Sequence, residues 1–176
     1  MKRTLSSVIS VLSFTSLLGL GIDSRVQAQS NCVHVQGRFE GVFGFTNPPG
    51  TPSTGAAEGD VTGDLAGTFS ALYDDFVFHS NGAIALHGEH TLAVGVADPA
   101  EIDCDSQNCL FTDDAILLLP DPDPNKVRAS SRLYIVGGTG LYEGATGLLH
   151  TGHGGVDFSQ EENLSIGYKG QICLTL

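Results

Sequence analysis

Apolar and polar residues alternate along most of the chain after residue 28, which is the spacing of β-strands rather than of amphipathic helices. The first such segment runs from Val33 to Phe45, and its apolar members include Val35, Phe39 and Phe43. Because successive side chains of a strand point to opposite faces, this spacing collects the apolar residues on one face. The segment therefore predicts one long, half-buried strand.

Seven further segments continue this pattern. They cover residues 58–73, 76–79, 83–96, 110–119, 127–136, 142–151 and 163–176. Turn-forming residues separate them, including Asn81-Gly82 and the proline-rich run from Pro120 to Asn125, and residues 47–53 predict a long loop. Eight short strands without helices predict an all-β fold, either a closed antiparallel barrel or a sandwich.

The first 28 residues form a segment of a different kind. Lys2 and Arg3 precede an apolar stretch, and small residues occupy the positions before a signal-peptidase cleavage site after Ala28. We therefore predict a cleaved signal peptide over residues 1–28, a single domain over residues 29–176, and a secreted or periplasmic location. An uncleaved membrane anchor is the alternative, and no later segment is apolar for long enough to span a bilayer.

The predicted mature chain is strongly acidic. Residues 1–28 hold three of the eight basic and one of the twenty acidic residues, so their removal leaves a formal charge of −14. Such a charge repels nucleic acid and anionic membranes. The binding partners that remain plausible are an apolar or neutral small molecule and a cationic partner. Solubility of an exported protein is an alternative explanation of the charge.

Four cysteines lie in the predicted mature chain, and an exported protein can keep them as disulfides. Cys104 and Cys109 enclose a short polar loop, which favours a local bridge. Cys32 and Cys173 then remain, near the two ends of the domain, where a bridge would join the first strand to the last. A zinc site of four thiolates is the alternative, but the C-x₄-C spacing lacks a second pair of cysteines.

No motif for a metal or a cofactor stands out. His87 and Glu89 lie on the opposite strand face from His90, so the three cannot chelate one ion. Residues 121–132 begin like a calcium loop, but Lys126 stands where that loop requires glycine. No nucleophile elbow or dinucleotide fingerprint is present. We therefore expect neither a metal nor a cofactor.

The segment from Ile135 to Gly147 combines a Gly-Gly-Thr-Gly turn with Leu141-Tyr142-Glu143-Gly144. It resembles the signature of the allene oxide cyclase and dirigent β-barrel superfamily. The resemblance implies an eight-stranded antiparallel, calycin-like barrel with an apolar pocket, often in a homotrimer. Plant dirigent proteins have aspartate and arginine where this chain has Leu141 and Thr146, so the likeness is greater to the cyclases.

The resemblance also implies candidate site residues. Glu40 is the candidate for the early-strand glutamate of the cyclases, and Glu143 is the carboxylate of the turn motif. Both are therefore candidate catalytic groups. The side chains expected to contact a ligand are Phe39, Phe43, Phe69, Tyr73, Leu133, Tyr134 and Tyr142; core packing is the alternative role for each of them.

The sequence thus predicts an exported barrel that binds an apolar small molecule and guides a cyclisation or isomerisation without a cofactor. Two alternatives remain open. One is a non-catalytic extracellular module that binds a ligand or a protein. The other is a dirigent-like auxiliary that directs the stereochemistry of a reaction run by a separate oxidase.

Overall fold

Eight antiparallel strands close into a barrel in the computed structural model of this chain, which describes residues 30–46 and 54–175. The strands are β1 (Ser30–Phe45), β2 (Gly55–Gly63), β3 (Gly67–Phe78), β4 (Ile84–Val94), β5 (Cys109–Pro120), β6 (Lys126–Gly138), β7 (Thr146–Asp157) and β8 (Leu164–Thr175). Each strand pairs with its neighbour in the chain, and β8 pairs with β1 to close the barrel. The predicted all-β barrel is confirmed.

Two predicted strand boundaries are wrong. The number of strands is still eight, because one predicted strand is two strands and two predicted strands are parts of one. The segment 58–73 is two strands, because β2 ends at Gly63, which has a φ of +86°, and β3 begins at Gly67. Asp74-Asp75 does not end a strand, because β3 passes through a register shift at this point and continues to Phe78. The residue Asp75 takes a φ of +52° there, which accommodates the bulge.

The predicted alternation of faces holds along β1. Val35, Phe39 and Phe43 point into the barrel and are buried, whereas Glu40 and Val42 are exposed. The same inward pattern on the other strands gives one apolar core, and its fully enclosed members include Phe69, Leu92, Leu110, Leu133, Leu149 and Ile172. Burial of these side chains is the main stabilising term of the fold.

The two ends of the barrel differ in how they are closed. At the disulfide end, where β1 begins and β8 ends, Cys32 is bonded to Cys173. The loop between β4 and β5 lies at the same end and is closed by the bond from Cys104 to Cys109. Both predicted pairings are confirmed, and each joins parts of the chain at the same end of the barrel.

The glycine-rich turn between β6 and β7 also lies at the disulfide end. The Thr139 hydroxyl donates to the Gln107 carbonyl at 2.7 Å and accepts from the Cys109 amide at 3.1 Å. A Cβ at Gly138 would overlap the Cys109 carbonyl oxygen, so this glycine allows the backbone of the turn to reach the disulfide loop. The motif that carries the family resemblance therefore docks one loop on another.

The opposite end, where β1 ends and β8 begins, is the aromatic end. Phe45, Phe76 and Phe158 form an aromatic rim there, with ring centroids 5.8 Å apart for Phe45 and Phe76 and 6.3 Å apart for Phe45 and Phe158. The buried Phe43 lies beneath the rim, 5.3 Å from Phe45. Phe45 and Phe158 remain 40% and 43% exposed, so the rim presents apolar surface to solvent.

The predicted signal peptide, residues 1–28, and the predicted loop, residues 47–53, lie outside the described residues. Across residues 30–46 and 54–175, no helix is long and apolar enough to cross a bilayer.

Candidate functional site

Three polar side chains form a hydrogen-bonded chain inside the barrel. Asp114 on β5 contacts His90 Nδ1 on β4 through its Oδ2, and His90 Nε2 lies 3.2 Å from the Tyr73 hydroxyl on β3. All three are buried: Asp114 is 1%, Tyr73 7% and His90 8% exposed. We call this set the Tyr–His–Asp relay.

The strand register brings the relay together. His90 pairs across the sheet with Ala71 on one side and Thr112 on the other, so small neighbours flank the imidazole. Gly88 pairs with both Tyr73 and Asp114. A Cβ at Gly88 would lie 2.8 Å from Tyr73 Cδ1, so only glycine leaves the space that the tyrosine ring occupies.

The buried surroundings of the relay favour the protonated form of the Tyr73 phenol. Burial raises the pKa of Tyr73 well above its ordinary value, and the neighbouring Asp114 raises it further. The phenol therefore stays protonated at neutral pH and can donate to His90 Nε2. In the tautomer with hydrogen on Nδ1, the imidazole donates to Asp114, and each contact in the relay has one donor and one acceptor.

Asp114 is the most enclosed member of the relay. Its Oδ1 is buried and has no hydrogen-bond partner among the described residues. The hydroxyl oxygens of Thr112 and Thr68 are likewise buried without such a partner. A buried carboxylate with an unpaired oxygen costs free energy that an apolar side chain would not. The burial of Asp114 therefore offsets part of the stability that its contact with His90 contributes.

A small cavity of about 50 Å³ adjoins the relay. Its polar lining is Tyr73, His90, Ser131 and Thr151, and the other lining residues are Phe39, Phe43, Phe69, Leu86, Ile116, Leu118, Ala129, Leu133, Val156, Leu164 and Ile166. The lining extends from the middle of the barrel toward the aromatic end, and it includes no residue of the packed disulfide end such as Leu92, Leu110 or Ile172. Apolar walls with a few convergent polar groups are typical of small-molecule sites.

The predicted ligand contacts occupy three kinds of position. Phe39, Phe43, Phe69, Tyr73 and Leu133 line the cavity. Tyr134 points outward and is 44% exposed. Tyr142 lies in the short helix Gly140–Tyr142 of the glycine-rich turn, half-buried against the core, and is not among the cavity-lining residues.

The two predicted catalytic carboxylates lie away from the cavity. Glu40 is exposed on the outer face of β1, and Glu143 is exposed in the turn that follows the short helix at the disulfide end. Neither side chain is among the cavity-lining residues. The carboxylate that the barrel does enclose is Asp114.

His90 and Asp114 are not among the site residues predicted from the sequence. The available signal was parity, since His90 falls on the apolar face of its strand together with Leu86 and Leu92, and Asp114 falls on that of Leu110 and Leu118. A histidine and an aspartate at apolar positions of neighbouring strands indicate a buried pair. The register of β4 with β5, which places the two side by side, is not among the predictions from the sequence.

His87 lies on the outer face of β4, as its parity predicts. Its Nδ1 contacts Asp74 at 2.8 Å and its Nε2 contacts Asp113 at 3.0 Å. The hydrogen bond to Asp74 raises the pKa of His87, and the bond to Asp113 adds to this effect against the opposing influence of burial. Within the described ranges, no group of three or more ligating side chains is arranged to hold a metal ion.

No family model matches this chain, and no curated protein is significantly similar to it in sequence.

Proposed function

We propose that this protein binds a small apolar molecule in the barrel cavity and guides its isomerisation or cyclisation without a cofactor. The observation that carries the proposal is the position of the cavity. Its lining includes the polar pair Tyr73 and His90, and also Phe43, which packs against Phe45 and Phe158 of the aromatic rim. A ligand there would have apolar contacts on most sides and hydrogen-bonding groups at the inner end.

The direction of entry follows from the packing of the two ends. At the disulfide end, Leu92, Leu110 and Ile172 are at most 1% exposed, so the interior is closely packed around them. At the aromatic end, Phe45 and Phe158 expose apolar surface beside the cavity lining. A ligand would therefore enter past the aromatic rim, with its apolar part against the phenylalanines.

The size of the cavity limits the ligand. A volume of about 50 Å³ is well below the few hundred Å³ of a typical drug-sized site. Only one end of the ligand would reach Tyr73 and His90, and the remainder would lie at the rim. This limit favours compact, mainly apolar molecules with one polar function.

We also propose that the protein works outside the cytoplasm. Two disulfides in a small domain support an oxidising compartment, and they agree with the signal peptide predicted over residues 1–28. The homotrimer implied by the family resemblance stays a prediction. Exposed apolar residues on the outer surface, such as Leu72 and Val136, offer positions for such contacts.

Binding is tested by a bulky substitution that fills the cavity, with the same substitution at the adjacent, outward-facing residue as the control. Ala129 lines the cavity, whereas Ser130 faces outward on the same strand. We expect Ala129→Phe to weaken binding of compact aromatic ketones and hydrocarbons at least tenfold, and Ser130→Phe to change it less than twofold. Titration followed by ¹H–¹⁵N correlation spectra measures both affinities.

Native mass spectrometry of protein purified without reducing agent from its exported fraction complements the titration. A retained small molecule that is lost in Ala129→Phe would support the proposal and identify the ligand. If none of these ketones and hydrocarbons binds to the wild-type protein, or if the Ala129→Phe and Ser130→Phe variants bind them equally well, the barrel cavity is not the binding site. Binding without any chemical change of the ligand would favour the non-catalytic module.

A further inference from the structure

We propose that the Tyr–His–Asp relay is an acid–base site for small carbonyl compounds that carry a removable proton on the carbon next to the carbonyl. His90 would be the base, Tyr73 the donor to the carbonyl oxygen, and Asp114 the positioning residue. The inference rests on the proposed binding of ligands in the cavity and adds the reacting groups and the substrate class.

The order of the three residues relative to the cavity supports these roles. Tyr73 and His90 line the cavity, whereas Asp114 lies behind His90 and does not. A ligand at the inner end of the cavity can therefore meet the phenol and the imidazole but not the carboxylate. Asp114 can act on the ligand only through the other two groups, chiefly by fixing the orientation of the imidazole and by stabilising the charge that the imidazole gains.

The contact between Tyr73 and His90 is suited to exchange. At 3.2 Å it is long for a hydrogen bond donated by a hydroxyl, so a carbonyl oxygen can compete for the phenol proton at small cost. Once the phenol turns to the ligand, His90 Nε2 has a free lone pair beside the cavity. The contact of Nδ1 with Asp114 is unaffected by that change.

The step balances without any further reactant. His90 Nε2 takes the proton from the α-carbon, the electrons of the broken C–H bond form a carbon–carbon double bond, and the carbonyl π electrons move to the oxygen that Tyr73 holds. The imidazolium then returns the proton to the same carbon or to another carbon of the conjugated system. Return to the same carbon exchanges its hydrogen once the imidazolium N–H has exchanged with solvent, and return to another carbon moves a double bond; neither oxidises or reduces the molecule.

Apolar surroundings strengthen this arrangement. Phe39, Phe69 and Tyr73 surround the imidazole, with ring centroids 5.9, 6.0 and 5.6 Å from it. In such a site, the attraction between Asp114 and a protonated His90 is little screened by water. The developing oxyanion and the imidazolium would be formed close together, which lowers the cost of separating their charges.

The experiment uses 1-phenylpropan-2-one, a ketone whose phenyl group suits the aromatic rim and whose acidic CH₂ group would then lie near His90. Loss of the CH₂ proton signal in D₂O is followed by ¹H NMR with wild-type protein, with His90→Gln and with free imidazole at the same concentration. We expect exchange at least 100-fold faster with the protein than with imidazole. We expect His90→Gln to remove at least nine-tenths of this acceleration.

The control variant is His87→Gln, because His87 lies on the same strand but on its outer face. Its exchange rate should stay within twofold of the wild-type rate. Asp114→Asn should lower kcat at least tenfold with little change in KM and alter the ¹⁵N shifts of the His90 ring, which report its tautomer. Tyr73→Phe should raise KM as well as lower kcat, since the phenol contacts the ketone directly.

Each failure has a distinct meaning. If the ketone binds in the cavity but exchanges no faster than with imidazole, the acid–base role is wrong and the binding function stands. If His90→Gln folds and exchanges as fast as wild type, the reaction occurs elsewhere and the relay is structural. If other apolar compounds bind but this ketone does not, the substrate class is wrong; if none binds, the proposed function fails together with this inference.

Discussion

The two ends of this barrel differ in their cross-links, their packing and their buried polar groups. The disulfide end has both covalent bridges, the docked glycine-rich turn and the most completely buried aliphatic side chains. The aromatic end has an exposed rim, a cavity and, at its inner limit, three buried polar groups. A site that contains buried polar groups is costly to maintain, and a cross-linked end offsets such a cost elsewhere in the same barrel.

Removal of the disulfides should produce the largest stability change. The Cys32–Cys173 bond spans 141 positions and the Cys104–Cys109 bond spans 5. Chain-entropy arguments give a loss of about 5 kcal/mol for the long bridge and about 2 kcal/mol for the short one. Urea unfolding of the paired cysteine-to-serine variants measures both losses. Equal losses would mean that the bridges act on the native contacts of each end and not on the unfolded chain.

This division also explains why the disulfide end was easier to predict than the site. The pairing of Cys104 with Cys109 follows from their nearness in the chain, and the pairing of Cys32 with Cys173 follows because these two cysteines then remain. The relay instead needs the register of three strands and the vacancy at Gly88. Register depends on packing over the whole barrel, so a single sequence does not reveal which aspartate meets His90.

The turn motif illustrates the same difference. The glycines of residues 137–144 were the most conspicuous feature of the sequence, and they suggested Glu143 as a functional group. Their physical task is at the disulfide end, where the Leu141 amide donates to the Asn108 side chain at 2.9 Å and Thr139 holds the disulfide loop. A close approach between two loops needs glycine for steric reasons alone. A dense motif of this kind therefore locates a backbone contact more reliably than it locates a reaction.

Substitutions in the relay should give the next largest stability change. Asp114→Val leaves His90 buried without its partner, and we expect a loss of about 3 kcal/mol. The double variant Asp114→Val with His90→Leu replaces the pair by apolar groups and should return to within about 1 kcal/mol of wild type. Urea unfolding measures both. A double variant as unstable as the single one would show that the pair stabilises the barrel, contrary to the division of roles described above.

Glycine-to-alanine substitutions at the two ends test the division with one added methyl group. At Gly138 the new Cβ would meet backbone at the disulfide end, and we expect a loss of about 3 kcal/mol with ligand affinity unchanged. At Gly88 it would meet the side chains of Tyr73 and Ile116, which can shift, so the expected loss is about 1 kcal/mol with at least tenfold weaker binding.

Gly44 supplies the control for this pair, because a Cβ there would have open space around it. Its alanine variant should be within about 0.5 kcal/mol of wild type in urea unfolding and should bind as wild type does. If Gly88→Ala binds ligands normally, the placement of the Tyr73 ring is not important for the site. If Gly138→Ala weakens binding as much as Gly88→Ala, the two ends are coupled rather than separate.

Alkaline unfolding tests whether the inner end of the cavity is dry. Since burial raises the pKa of Tyr73, the folded protein keeps the phenol proton at a pH where the unfolded chain has released it. Stability should therefore be insensitive to this group below about pH 9 and fall as the pH rises above about 10, by at most about 1.4 kcal/mol per pH unit. The stability of Tyr73→Phe should fall less steeply over that range, whereas the stability of Tyr134→Phe, on the outer face, should follow that of the wild type.

Parallel stability curves for Tyr73→Phe and wild type would mean that the phenol ionises as easily in the barrel as in the unfolded chain. Water would then reach the relay freely, and the cavity would lack the low-dielectric environment that the acid–base proposal needs.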